Sequence, residues 1–554
     1  MSEHGIMSKQ IKGKAPDGAT TASRGTYWAI LLVYGVVLAV GFTMHEMWRD
    51  EYEQLLFRRY AGIIDTGSPF YILYNFLCWF SLQINDSVAS FKTLHFSVAL
   101  GIAAIVLWRS PFPLWQKGAL LFSYFLLYEF SIIARYYGLI TLLVFGTAVS
   151  LVMGRPKFFT AAILMLATAS LNPISATFAA GFAAYIIALW FSGELNFSSS
   201  PTQRRSLIAS VSLLSAGAAV NFSFFVLYVM SPEGLKPFQM ARPPLPAILP
   251  QIWNAYIPIP DITSGIYFWW SNIFPQPVVF AEGQTLGVQE LTSAAFLVPA
   301  AVSIAMLAIF TSRFSQDRPV MVFYLFTTAL QLSLIHFALK VYVIRYLGIL
   351  FITLVTATWL FEARRHSFCA RGIKKQQGPV DFRRPIAIAY QTAFALVLVS
   401  QVIAGVWAYA FDATRKFSNS EDLAAYVQRS NLLSTHVLAG YVDAHTQCIA
   451  AETGAEMYFP QIAKFGRFAE QYNPNRRNAV GLEEVLRQVA EVVQQKGKPV
   501  VLVMTMPIST SYGQFLGPEF VQISPTVRMR CLTAIDEPVI SKDEVYWVYE
   551  IKSF

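Results

Sequence analysis

The feature that most restricts this fold is a series of apolar runs long enough to cross a lipid bilayer. A transmembrane helix needs about 20 predominantly apolar residues, and this chain is 55% hydrophobic and only 14% charged. Two broken apolar stretches, 69–84 and 248–275, favour interfacial helices and loops. The sequence therefore predicts a polytopic α-helical membrane protein with about eleven spans, at roughly 27–44, 92–108, 115–130, 133–153, 157–171, 175–193, 206–230, 291–311, 319–338, 341–361 and 386–410.

The distribution of basic residues predicts the orientation of the chain. Cytoplasmic loops of membrane proteins carry an excess of Lys and Arg. With the N-terminus inside, the basic clusters, including the loop 362–385, all fall on the cytoplasmic side. The net charge of +9 therefore reflects orientation, and no nucleic-acid partner is expected. We expect a flexible cytoplasmic N-terminus at 1–26 and a membrane domain at 27–410.

The remainder of the chain, 411–554, then lies outside and has a different composition. Short strand-like runs such as PVVLVMTMP surround one amphipathic segment, LEEVLRQVAEVVQQKGK, which predicts a soluble α/β domain. Cys448 and Cys531 share this oxidising side, where both a disulfide and two buried thiols remain open. The reactive side chains of this tail show no triad or metal spacing and are interpreted as solvated surface charge: Asp443, His445, Glu452 and Asp536.

Two groups of charged residues are predicted on the outer side, next to the spans. The segment HEMWRDE at 45–51 follows the first span and contains the adjacent acids Asp50 and Glu51. The apolar stretch 118–153 is interrupted only by Glu129 and Arg135. At about 1.5 Å per residue it is too long for one helix in a hydrocarbon core of about 30 Å, so it must turn back near these charges. Ordinary juxtamembrane charge and a Glu–Arg hairpin cap are the alternatives to a functional site.

A third group is basic although it lies outside. His336, Lys340 and Arg345 surround a short loop between the ninth and tenth predicted spans. Arg and Lys bind phosphate through charge-assisted hydrogen bonds, although snorkelling to lipid phosphate also explains them. The aromatic, proline-rich segment PQIWNAYIPIPDITSGIYFWWSNIF is typical of an interfacial lid. Together these groups favour transfer of a group from a lipid-linked phosphate donor. An ionised carboxylate would act as the general base, and the cations would stabilise the leaving phosphate.

Five segments support a resemblance to a known family. HEMWRDE, SPFYILYNFLCWF, FSIIARYYGL, WNAYIPIP with YFWWSNIF, and VIRYLGILFITLVTATWL occur in this order. They are similar to segments of a group of bacterial membrane proteins that resembles the GT-C glycosyltransferases (family 39-like). Relatives of that family include protein O-mannosyltransferases and the lipid A aminoarabinose transferase. The resemblance covers roughly residues 27–410 and implies an undecaprenyl-phosphate-linked sugar donor in a bacterial inner membrane.

The resemblance and the charge pattern together assign candidate roles. The resemblance implies that the acidic residue of the family's first outer loop is Asp50, which we predict to be the catalytic base, with Glu51 in a supporting role. Where the family often has His-Pro-Pro, this chain has Ser68, Pro69 and Phe70, which leaves specificity open. Some GT-C enzymes require a divalent cation and others do not, so the cofactor stays open. We predict that Arg345 and Lys340 bind the donor phosphate, with Arg135 and His336 as second candidates and with support from Glu129, Trp48, Arg49, Tyr136 and Tyr346.

The leading functional hypothesis is an inverting glycosyltransferase with its site on the periplasmic face. It would move a sugar from a polyprenyl-phosphate-linked donor to a hydroxyl of a glycan, lipid or protein acceptor. One rival is a transporter or flippase of the lipid-linked sugar, but the internal repeats common in transporters are not visible between the two halves. The other is a non-catalytic envelope polysaccharide assembly protein, which leaves Asp50 and Arg135 unexplained.

Overall fold

The computed structural model confirms a polytopic helical protein with a C-terminal sheet domain. It describes residues 23–60, 71–152, 156–194, 245–258, 294–339, 342–370, 383–470 and 473–554, the last range with short gaps at 474, 478, 511–512, 515–516 and 542. In these ranges, seven helices are long and apolar enough to cross a membrane. The predicted span 206–230, Lys340 and the segment 68–70 lie outside the described residues.

The membrane part is a succession of helices, of which most are apolar and the one over Arg49–Tyr60 is rich in charged residues. The helix α1 begins after Ser23, whose side chain accepts a hydrogen bond from the backbone N–H of Thr26 at 3.2 Å. The helices of this part are α1 Arg24–Met44, α2 Arg49–Tyr60, α3 Ile72–Ile84, α4 Val88–Arg109, α5 Leu114–Leu121, α6 Tyr137–Val152, α7 Phe158–Ala169, α8 Pro173–Phe191, α9 Gln251–Tyr256, α10 Ala294–Phe314, α11 Arg318–Ser333, α12 Ile344–Ala370 and α13 Arg383–Thr414.

The long apolar stretch 118–153 turns back, as predicted. After α5 the chain forms a π-helical segment, Tyr124–Ile132, and then a non-helical turn at 133–136 before α6 begins. A second π-helical segment, Leu334–Leu339, follows α11. Such segments are rare and are frequently found at functional sites. Each of these two segments precedes one of the predicted arginines, Arg135 or Arg345.

Close packing brings the helix that carries Arg345 against the first π-helical segment. Gly348 lies one turn after Arg345 in α12, and a Cβ at that position would lie 2.7 Å from Cζ of Phe130 and would also collide with Phe125. A residue without a Cβ is therefore needed for this close approach. This contact fixes α12 beside the turn that carries Arg135.

The tail forms a seven-stranded mixed sheet in the order β3-β2-β1-β4-β9-β8-β7. Strands β1, β2 and β4 are parallel, and the other pairs are antiparallel. The strands are β1 Val437–Tyr441, β2 Met457–Phe459, β3 Lys464–Gly466, β4 Val500–Met504, β5 Ser509–Thr510, β6 Gly513–Gln514, β7 Val521–Ser524, β8 Val527–Ile535 and β9 Tyr546–Ser553, with β5 and β6 in a separate hairpin. The helices are α14 Ser420–Arg429, α15 Leu432–Thr435, α16 Asp443–Thr446, α17 Cys448–Thr453 and α18 Leu482–Lys496.

The two faces of the sheet are covered differently. The predicted amphipathic helix is α18, which buries Val485 and Val489 against one face. The other face, with α14 and α17, belongs to the same apolar core as the membrane helices. The helices α16 and α17 also pack against α2. Cys448 and Cys531 are both buried free thiols, which decides the open alternative against a disulfide.

The interpretation of the tail's charged residues as solvated surface is wrong for Asp443 and His445, whereas Glu452 and Asp536 are exposed, as predicted. Asp443 is fully buried because Arg476 forms a bidentate ion pair with it, with both nitrogen–oxygen distances at 2.9 Å. His445 contacts Arg49 of the membrane part, and Glu452 accepts a hydrogen bond from the Tyr52 hydroxyl at 2.8 Å. Only Asp536 is an exposed residue without such a contact among the described residues.

Candidate active site

Asp50 lies in the first turn of α2, just beyond the end of the first membrane helix. This helix has acids at its start, Asp50 and Glu51, and arginines at its end, Arg58 and Arg59. That arrangement complements the helix dipole, which favours negative charge at the N-terminus and positive charge at the C-terminus. The sequence HEMWRDE therefore folds so that the two acids are fixed at a helix start next to the membrane helices.

The structure brings Asp50 together with two of the predicted phosphate-binding residues. Nη1 of Arg135 donates to Oδ2 of Asp50 at 2.7 Å, and Nη1 of Arg345 donates to the same oxygen at 2.9 Å. Nε of Arg49 lies 3.6 Å from the other oxygen, Oδ1. The side chains of Arg135 and Arg345 are 10% and 11% exposed, so this ion-pair cluster is largely shielded from water.

Most of the donors of these two arginines have no protein partner in the described ranges. A guanidinium has five N–H donors. Arg135 and Arg345 each use Nη1 for Asp50, while Nε of each is buried and makes no hydrogen bond to a described residue. Two full positive charges share one carboxylate. The cluster therefore has both spare donors and an excess of positive charge for an anionic group.

Aromatic side chains surround the two guanidinium groups. The guanidinium of Arg135 lies 5.8 Å from the ring centroid of Tyr136. That of Arg345 lies 5.7 Å from the rings of both Trp48 and Tyr346. Such cation–π contacts are attractive and also hold the guanidinium in place. Trp48, Tyr136 and Tyr346 thus contact the arginines, and their supporting role in a phosphate site stays a prediction.

The charges around Asp50 keep it ionised and weakly basic. Burial would raise its pKa, but the three neighbouring guanidinium groups outweigh that effect and lower the pKa to about 2. A carboxylate in this state is a poor proton acceptor. Its basicity would rise if an anion drew the arginines away from it.

Glu51 faces away from Asp50 and is fully buried. Its Oε2 is 2.9 Å from Nε2 of His45, and its Oε1 accepts a hydrogen bond from the backbone N–H of Ala134 at 2.6 Å. Burial would raise the pKa of Glu51, but the His45 imidazolium lowers it below its usual range. Glu51 therefore holds the turn that precedes Arg135 and does not present an oxygen to a substrate.

Glu129 and His336, which are also predicted to belong to the site, form hydrogen bonds with tyrosine hydroxyls. Glu129 accepts a hydrogen bond from the Tyr124 hydroxyl at 3.0 Å, within the π-helical segment. Because Arg135 pairs with Asp50, the hairpin-cap alternative does not explain that arginine. Nδ1 of His336 is 2.6 Å from the Tyr342 hydroxyl, and no hydrogen bond joins His336 to Asp50 among the described contacts.

Glu53 is a residue that the sequence analysis missed. It lies three residues after Asp50 in α2, and residues three apart in a helix are neighbours. It is half-buried. Burial, together with the negative charge of Asp50, raises the pKa of Glu53 to about 7. The sequence signal for Glu53 is its spacing in DEYE, three residues after Asp50, which makes the two acids neighbours on a helix.

The tail holds α2 through several polar contacts. The backbone N–H of Arg49 donates to Oε1 of Glu544 at 2.8 Å, and the Arg49 guanidinium contacts Asp543 and His445. Farther along α2, Nη1 of Arg59 donates to the carbonyl of Ala451 at 2.9 Å. The helix that carries Asp50 is therefore fixed between the membrane helices and the tail.

Metal ligands are the other possible constituents of such a site. In the part of the chain that the structure describes, no group of three or more His, Cys, Asp or Glu side chains is arranged to hold a metal ion.

Comparison with known proteins finds a likeness to solved structures. No family model and no curated protein matches the chain. Among solved structures, the crystal structure of ArnT from Cupriavidus metallidurans in the apo state is similar over 95% of this chain and 98% of that chain. The sequence identity is 12% and the TM-score is 0.40. A TM-score this low does not transfer a function, so the contacts around Asp50 have to support the proposal by themselves.

Proposed function

We propose that this protein is a GT-C-type glycosyltransferase. It moves a sugar from a polyprenyl-phosphate-linked donor to an acceptor hydroxyl on the periplasmic face of a bacterial inner membrane. The observation that carries the proposal is the shared ion pair of Asp50 with Arg135 and Arg345. These three residues come from three separate elements and meet at the ends of apolar helices.

The two arginines are suited to hold the donor phosphate. Arg binds phosphate through parallel N–H donors in a fixed geometry. The buried Nε atoms of Arg135 and Arg345 lack partners among the described residues, and the low exposure of both side chains strengthens their electrostatic attraction. The polyprenyl chain of such a donor would lie among the apolar helices that end here.

Asp50 is suited to take the proton once the donor has bound. When phosphate oxygens accept the N–H groups of the arginines, Asp50 loses its strongest partners and becomes more basic. The acceptor oxygen then attacks the anomeric carbon as the carbon–oxygen bond to phosphate breaks. The phosphate leaves with the electron pair, the arginines stabilise its charge, and the hydroxyl proton passes to Asp50. Attack from the face opposite the phosphate inverts the anomeric centre.

The proposed orientation is supported by several elements that meet at one side of the membrane. The helix α1 ends at Met44 and α13 ends at Thr414, next to α2 and the tail. At their other ends, α12 stops at Ala370 and α13 begins at Arg383, within the stretch 362–385 that is rich in basic residues. With that stretch in the cytoplasm, the site and the tail are periplasmic.

The proposal is tested by turnover of a labelled donor. Purified protein in vesicles is given a polyprenyl phosphate carrying a radiolabelled sugar, together with an envelope extract as the acceptor. A glycosyltransferase converts the donor to polyprenyl phosphate and labels the extract. A flippase moves the intact donor between leaflets without cleaving it, and an assembly protein does neither. Either of the last two results would contradict the proposal.

A pH dependence is expected from Glu53. Its raised pKa of about 7 means that it is neutral below that pH and ionised above it. The added negative charge makes Asp50 a better proton acceptor, because a neighbouring like charge raises the pKa of a carboxyl group. We expect transfer to rise through about pH 7 in the wild type and to lack this step in Glu53→Gln. The exposed Glu483→Gln is the control, and an unchanged step in Glu53→Gln would contradict the assignment.

Removal of the tail should separate binding from transfer. Truncation after Thr414 removes the contacts of Glu544, Asp543 and His445 with Arg49 but keeps Arg135 and Arg345. We expect the truncated protein to bind polyprenyl phosphate within a few-fold of the wild type and to lose transfer to its natural acceptor. Transfer at the wild-type rate by the truncated, folded protein would show that the tail serves neither α2 nor the acceptor.

A further inference from the structure

His45, the first residue of HEMWRDE, is not used by the mechanism above. It lies directly after α1 and is 2% exposed. Its Nδ1 is 2.8 Å from Oδ2 of Asp412, and its Nε2 is 2.9 Å from Oε2 of Glu51. Both ring nitrogens therefore face carboxylates, which is the environment of an imidazolium that donates from both nitrogens.

The surroundings of His45 favour the charged ring and fix its position. Burial would lower the pKa of His45, but the charges of Asp412 and Glu51 raise it to about 10. Nζ of Lys92 donates to the carbonyl of His45 at 2.7 Å. The ring of Phe417 lies edge-on at 4.4 Å between centroids. The imidazolium is thus held through its backbone carbonyl, a ring–ring contact and both ring nitrogens.

A continuous series of contacts joins His45 to the proposed phosphate site. Glu51, which His45 holds, accepts the backbone N–H of Ala134 at 2.6 Å. The neighbours of these two residues, Asp50 and Arg135, form the ion pair described above. Two adjacent residues of α2 therefore pair with two adjacent residues of the turn at 133–136. A shift of Glu51 would shift both partners of the Asp50–Arg135 pair.

We infer that His45 is a positioning residue for sugar transfer: its imidazolium fixes Glu51, and through Glu51 and Ala134 it sets Asp50 and Arg135 at the distance that the donor phosphate requires. This inference rests on the proposed function. It also connects the site to the end of α13, because Asp412 is the second anchor of the ring and lies two residues before the helix ends. The last membrane helix and the phosphate site are thereby joined through one buried cation.

The inference is tested by a double-mutant cycle on transfer and on polyprenyl phosphate binding. His45→Gln removes the cation, Glu51→Gln removes its target, and the double variant combines them. We expect each single variant to lower the transfer rate by about 10- to 100-fold, because small misplacements of reacting groups cost about that much. Phosphate affinity should fall in parallel as Arg135 moves. The double variant should be no slower than the slower single variant, since contacting residues in one network are non-additive.

Controls keep the outcome interpretable. His436→Gln in the tail, where the ring lies 3.6 Å from Glu550, should leave transfer unchanged. If His45→Gln does not fold, Asp412→Asn is measured as the variant that loosens the ring, because it removes one of the two carboxylates that hold the imidazolium. It should lower transfer and phosphate affinity together, by less than Glu51→Gln does, and a loss of transfer at unaltered affinity would overturn the positioning role. Effects that multiply in the double variant, or a slow single variant with unaltered phosphate affinity, would overturn the positioning role. Absence of donor turnover by the wild type would instead overturn the proposed function.

Discussion

Replacement of Asp50 by Asn is expected to lower sugar transfer by about 10²–10⁴-fold, the usual effect of losing a general base. The same variant should bind polyprenyl phosphate at least as tightly as the wild type. The neutral amide no longer competes for Arg135 and Arg345, which pair with the same oxygen of Asp50 at 2.7 and 2.9 Å. A loss of transfer together with equal or tighter phosphate binding is the combination that identifies a base held by its arginines.

The measurement compares initial transfer rates with equilibrium binding of polyprenyl phosphate in the same vesicles. Asp86→Asn is the matched control, because Asp86 pairs with Arg59 near the same surface and its side chain is 62% exposed. That variant should behave like the wild type in both assays. Near-normal transfer by Asp50→Asn would exclude Asp50 as the base, and weakened phosphate binding would show that Asp50 supports the arginines and does not compete for them.

The second large effect is expected from the arginines. Each of Arg345→Ala and Arg135→Ala should weaken binding of polyprenyl phosphate by about 10- to 100-fold, because a hydrogen bond to a charged group is worth about 1.5–3 kcal/mol. Transfer should fall at least as much, since the leaving phosphate is more strongly charged. Arg345→Lys should recover little, because Lys has no planar fork of donors.

The binding assay for these variants uses polyprenyl phosphate without a sugar, which isolates the phosphate from the rest of the donor. Arg429→Ala, on the exposed surface of α14, is the control and should leave binding unchanged. A variant that retains full affinity would place the phosphate elsewhere. If both Arg345→Ala and Arg135→Ala bind normally, His336 and Lys340 become the next candidates for binding the phosphate.

The class of the fold, a polytopic helical membrane protein, and the grouping of three charged residues could be predicted from the sequence because both depend on local patterns; the count of eleven spans is not reproduced by the seven candidate spans of the described residues. Apolar runs have a length that the bilayer dictates, and basic residues report the side of each loop. Asp50, Arg135 and Arg345 all interrupt that pattern on one side, which was sufficient to group them. The structure places all three in one ion-pair cluster.

The remainder depends on contacts between residues far apart in sequence. His45 meets Asp412 and Arg49 meets Asp543, and no spacing in the sequence indicates either pair. Asp443 was interpreted as solvated because its partner, Arg476, is separated from it by two strands. The sequence places Glu51 in the site beside Asp50, yet successive positions of a helix point in different directions, and only Asp50 faces the arginines.

The most direct test of the central claim is an experimental structure of the full-length protein in a lipid bilayer with polyprenyl phosphate bound. The phosphate oxygens are predicted to lie within about 3 Å of guanidinium nitrogens of both Arg135 and Arg345, at ordinary hydrogen-bond distance. The Asp50 carboxylate should have moved off at least one of these arginines and should face the space beside the phosphate. Phosphate density elsewhere, with Asp50 still paired to both arginines, would contradict the account.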